Sequence, residues 1–69
     1  MSNTYKCVTL VGTSATSYEE AIQSAIADAS GSLRNIYWYE VKEMRGKVAD
    51  GKVAEFQIKI QVGFKVETG

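Results

Sequence analysis

Residues 52 to 67 alternate more strictly than any other stretch of this chain. Ala54, Phe56, Ile58, Ile60, Val62, Phe64 and Val66 share one parity; Glu55, Gln57, Lys59, Gln61, Lys65 and Glu67 share the other, with Gly63 among them. Side chains of a strand point alternately to opposite faces, so this pattern predicts a long strand with one apolar and one polar face. The residues before it, Asn35 to Val48, read as a second long strand, and Asp50-Gly51 between them is a two-residue hairpin turn signal. A turn at that point sets Ala49 opposite Lys52, Trp38 opposite Gly63, Glu40 opposite Gln61 and Met44 opposite Gln57. Gly46 is a place where a bulge would shift that register.

The second strand carries the puzzle. By simple alternation Tyr37, Tyr39 and Val41 share one face, and Ile36, Trp38, Glu40 and Lys42 share the other. The chain's single Trp then lies on the polar side of the hairpin, over the missing side chain of Gly63. A large flat ring in that position calls for a partner, either a second subunit or a ligand.

Upstream, Tyr5 to Val11 is rich in β-branched and aromatic residues and predicts a first strand, which Gly12-Thr13-Ser14 ends. Ser17-Tyr18-Glu19-Glu20 has the spacing of a capping box, in which the Ser17 hydroxyl accepts from the Glu20 N–H and the Glu20 carboxylate reaches back. Tyr18, Ala21, Ile22, Ala25, Ile26, Ala29 and Leu33 then recur at three- and four-residue steps, predicting an amphipathic helix over about 17 to 31 that stops at Gly31. The fold class is α+β, in the order β-α-β-β, as a single domain over residues 1–69.

Lengths argue for assembly. A 14-residue strand spans roughly 45 Å, whereas a helix of that many residues spans roughly 21 Å. One helix therefore leaves part of the apolar face bare, with Phe64 and Val66 in the uncovered portion. A chain of 69 residues is also short for a stable lone core, and small scaffolds are commonly secured by disulfides, metals or oligomerisation. Cys7 is the only cysteine and there is no His, which disfavours the first two remedies and leaves a homo-oligomer.

Eight basic and eight acidic residues balance to zero, against binding of nucleic acid through its phosphates. No apolar run approaches a membrane span and no signal peptide opens the chain, so a cytoplasmic location is expected. Catalytic groupings are equally scarce. Gly12-Thr13-Ser14 is better read as a strand-to-helix turn than as an anion site, Glu19 and Glu20 as acids at a helix start, and Cys7 as a small strand residue. Trp38 is the candidate stacking platform. Gln57, with an amide acceptor and two donors, suits the edge of a heterocycle, while Arg45 and Lys65 are candidate phosphate contacts or simple surface charges.

Taken together, LVGTS at 10 to 14, AIQ at 21 to 23, LRN at 33 to 35, W-x-EV at 38 to 41, RG at 45 to 46 and FQIKIQVGFKVE at 56 to 67 resemble the dodecin family over essentially the whole chain. The resemblance implies a three-stranded antiparallel sheet wrapped round one helix, twelve copies of which form a hollow dodecamer of tetrahedral symmetry. It also implies binding of FMN, riboflavin or a related flavin without turnover: no enzyme, but flavin storage. In that family two flavins stack between two symmetry-related Trp rings, matched here by Trp38. A Gln matching Gln57 bonds the polar edge of the ring, an Arg matching Arg45 lies near the ribityl phosphate, and a basic residue is usual at the position of Lys65. Two positions depart from the pattern. Tyr37 stands where an acidic residue often contacts the ribityl chain, and Lys65 stands where Arg is common. Some bacterial members also bind coenzyme A near their three-fold contacts, though Asp28 to Ser32 here offers no basic group for its phosphates. The rival reading keeps the shell as a structural or interaction module in which Trp38 is an assembly contact.

Overall fold

A computed structural model describes residues 2–66. Strand β1 (Tyr5–Ser14), helix α1 (Tyr18–Ala29), strand β2 (Ile36–Ala49) and strand β3 (Lys52–Lys65) follow in that order. The three strands form one antiparallel sheet in the spatial order β1-β3-β2. The strongly alternating strand is thus the central one, and its apolar face carries the core: Ile58, Ile60 and Val62 are fully buried beneath Ala21 and Ala25. Burying side chains of that size contributes about 1.5–3 kcal/mol each. The alternation carries this strand through Glu67; the strand ends at Lys65, Val66 lies beyond it, and Glu67 falls outside the described residues.

Gly12-Thr13-Ser14 does not end the first strand. It continues it, pairing with Ile58, Gln57 and Phe56. Gly12 lies where the helix crosses β1, and a Cβ there would collide with the Ala21 carbonyl, so Gly serves close helix–sheet packing rather than a turn. The chain reverses only after Ser14, whose hydroxyl oxygen accepts from the N–H of Thr16 (2.9 Å) and of Ser17 (3.3 Å). The helix start is half of the expected box. Ser17 Oγ accepts from Glu20 N at 3.0 Å, but the Glu20 carboxylate accepts from Ser14 Oγ at 2.8 Å. At the other end Ser30, not Gly31, is the C-cap, and the left-handed residue that redirects the chain is Asn35, with φ 61°.

Asp50 and Gly51 both have positive φ (54° and 71°), as the tight hairpin requires. The register set by that turn holds at Ala49–Lys52 and Val48–Val53, and again from Val41–Ile60 to Trp38–Gly63. Between these it is displaced by one residue, so Met44 faces Ile58 and Arg45 faces Gln57. Two bulges that cancel each other account for this, one at Ala54 on β3 and one at Lys42 on β2. A third irregularity at Tyr37 moves Ile36 to the helix side, where it packs against the core rather than beside Trp38.

Twelve helical residues span roughly 18 Å, within a molecule 54 Å long. The uncovered apolar surface lies on β2 and at the turn, at Tyr39, Val41, Met44, Val48 and Val53, which are exposed. It is not at Phe64 and Val66, which are half-buried and share a cleft with Leu33 from the chain leaving α1.

Candidate functional site

The face of the sheet turned away from α1 holds the candidate residues. Along β3 it presents Glu55, Gln57, Lys59, Gln61, Gly63 and Lys65, the parity opposite to the buried Ile58, Ile60 and Val62. Trp38, paired with Gly63, lays its indole across the central strand: a Cβ on Gly63 would collide with Trp38 Cε2 and Cζ2. The ring extends toward β1, where the Tyr5 ring meets it at a centroid distance of 5.0 Å and a tilt of 54°. Trp38 remains 42% exposed. Tyr37, the irregular residue, also turns toward this side, its ring 5.4 Å from Tyr5. Simple alternation assigns Tyr37 to the other face; the irregular pairing between Ile36 and Trp38 reverses it.

The bulge at Lys42 has a matching effect further along. Alternation from Trp38 places Arg45 on the helix side, whereas the observed register puts it opposite Gln57 on the Trp38 face. Arg45 Nε donates to Gln57 Oε1 at 3.1 Å, and Gln57 Nε2 donates to Glu55 Oε1 at 2.8 Å. Glu43 joins the group, 3.5 Å from Arg45 Nη1 and 3.8 Å from Lys59 Nζ. These charge pairs are well exposed and contribute about 0–1 kcal/mol each.

Trp38 and the Arg45–Gln57 pair do not meet within one chain. Gly63 and Gln57 are six steps apart along β3, which is roughly 20 Å of strand. Lys65, opposite Tyr5 and two residues beyond Gly63, lies at the Trp38 end of this face. It lines a cleft of about 330 Å³ with Lys6, Arg34, Ser32, Leu33 and Phe64. Lys6 and Arg34 are the residues that sequence reasoning passes over. They lie on separate strand and loop segments, and only the β1–β3 pairing and the return from α1 bring them beside Lys65.

The model of the Dodecin family matches residues 4–67. That span includes every element described above. The chain belongs to the dodecin family. A curated dodecin from Thermus thermophilus is 48% identical over 67 residues, covering 97% of each chain. The crystal structure of a Thermus thermophilus protein superposes with a TM-score of 0.94 at 46% identity, covering 99% of this chain and 100% of that one. Dodecin from Streptomyces coelicolor superposes at 0.93 with 37% identity, covering 97% and 96%. The dodecin fold is thus the fold seen here, β-α-β-β with one antiparallel sheet about one helix, and the dodecin family is one of small binding proteins. Among the described residues no helix is long and apolar enough to cross a membrane.

Proposed function

We propose that this protein binds and stores flavin, FMN or riboflavin, by stacking the isoalloxazine on Trp38 within a homo-dodecamer in the cytoplasm. The observation that carries this reading is the indole spread over Gly63 and open on its outer side, a flat platform that a side chain at position 63 would abolish. Flat conjugated rings stack on such a platform in offset geometry. A bound flavin supplies a light-absorbing ring system, and a closely stacked indole quenches its excited state. Gln57 supplies the polar contact to the ring edge. Because it lies roughly 20 Å from Gly63 along one strand, Trp38 of one copy and Gln57 of another complete a single site. This accords with the uncovered apolar surface of β2, which a second subunit would bury.

Arg45 and Lys65 divide the phosphate work. Arg45, bonded to Gln57, would serve the FMN phosphate. The cleft of Lys6, Arg34 and Lys65 favours a second anionic ligand such as coenzyme A, despite the lack of basic residues at 28 to 32. Tyr37 adds aromatic surface beside Tyr5 where many relatives place an acid, so the ribityl chain is held by packing more than by hydrogen bonds.

The test is titration of FMN with the purified protein, following FMN emission and particle size together. Wild type quenches emission; Trp38→Ala does not, while remaining a large oligomer. If Trp38→Ala collapses to small species without ligand, Trp38 is an assembly contact and the platform reading fails.

A further inference from the structure

Gln57 is held at both ends of its amide. Its carbonyl oxygen accepts from Arg45 Nε at 3.1 Å, and its NH₂ group donates to Glu55 Oε1 at 2.8 Å. A Gln amide is roughly two-fold about its last torsion, and a free one samples both orientations. Here the reversed orientation would set NH₂ against the guanidinium and the carbonyl against a carboxylate. Both contacts would be repulsive, so the two charges select one orientation. Glu55 and Gln57 are two apart on one strand and therefore on the same face, and the Glu55–Gln57 bond is half-buried, which limits its screening by solvent. Glu43 in turn holds Arg45 from the other side.

We propose that Glu55 is a positioning residue that determines which heterocycle edge the site accepts. An amide has two N–H donors and two carbonyl lone pairs. With one of each taken by Glu55 and Arg45, one N–H and one lone pair remain for a ligand. That pair matches an edge bearing a carbonyl next to an N–H, an imide, and is mismatched to an edge whose N–H is replaced by methyl. This inference rests on the flavin reading above and adds to it the residue that sets the selectivity. Preorganisation also lowers the entropy lost on binding.

The experiment compares FMN with its N3-methyl derivative on wild type, Glu55→Ala and Glu55→Gln, read by emission quenching alongside particle size. Wild type prefers FMN by about tenfold or more, the scale of one hydrogen bond left unmade in a dry site. In Glu55→Ala the preference falls to about twofold, because the exposed Arg45 contact is then the only one selecting the orientation and the amide turns more readily. Glu55→Gln, which keeps the chain length and an acceptor oxygen, recovers most of it. If Glu55→Ala does not assemble, Glu55→Asp, one methylene shorter, takes its place, with the same loss of preference expected. A wild-type preference retained in Glu55→Ala or Glu55→Asp overturns the proposal while leaving flavin binding intact. Failure of wild type to bind FMN at all overturns both.

Discussion

Trp38 occupies the space that any side chain at position 63 would need. The two residues face each other across β2 and β3, and the absence of a Cβ on one allows the indole of the other to lie flat on the backbone and reach Tyr5 on the third strand. Gly63→Ala should therefore tilt the ring off the sheet without breaking a core contact. The expected outcome is an assembly of normal size whose affinity for FMN drops about tenfold, equivalent to about 1.4 kcal/mol. Fluorescence titration beside size-exclusion chromatography reads both.

Tyr5 supports the same ring from β1. Aromatic pairs of this kind contribute about 0.5–1.5 kcal/mol beyond their buried area. Tyr5→Ala should weaken FMN binding several-fold, and Tyr5→Phe, which preserves the ring, should restore it. Unchanged quenching in Tyr5→Ala would show that the platform orients itself without that support.

Gly12 is a packing requirement of the helix. A Cβ there meets the Ala21 carbonyl, which is backbone and cannot turn aside. Gly12→Val should destabilise by about 3 kcal/mol or more, since overpacking commonly costs 1–3 kcal/mol even where side chains can yield. The measurement is the midpoint of guanidinium unfolding. A variant as stable as wild type would show that α1 is free to lift from β1.

Ile60 is fully buried at the centre of the sheet, beneath the helix. Ile60→Ala should cost about 2–5 kcal/mol through lost burial and the cavity left behind. Thermal unfolding tests this, and the loss should appear equally with and without FMN, because Ile60 faces away from Trp38.

The cleft beside Lys65 makes a separate prediction. Replacing Lys6 and Arg34 together by Ala should sharply weaken salt-sensitive binding of coenzyme A, measured by calorimetry, while FMN quenching stays within about twofold of wild type. Exposed cations act on phosphates through a screened field, so raising the salt should mimic the substitution. Equal losses for both ligands would place Lys6 and Arg34 in the flavin site instead.

Much of this molecule is written locally. The parity of residues 55 to 65 and the spacing of Tyr18, Ala21, Ala25 and Ala29 reflect periods of two and 3.6 residues, and the Asp50-Gly51 turn is a local signal of its own; a single chain displays all three directly. They determine the order of elements, the buried face of β3, and the pairing of Trp38 with Gly63. Gly12 is ambiguous in sequence because Gly favours both a turn and a close approach. Only the position of Ala21 above it decides between them.

The tertiary structure decided what the periods could not. Bulges at Ala54 and Lys42 and the irregular pairing at Tyr37 have no periodic signature. Each leaves one residue without a partner across the ladder, which bends and twists the strand locally. Each reverses which face the neighbouring residues occupy. That is why Arg45 stands beside Gln57, why Tyr37 meets Tyr5, and why Ile36 joins the core. Sequence alone determined that a Trp would lie over a Gly on the open side of a long hairpin. Pairing across the sheet determined which charged residues share that side with it.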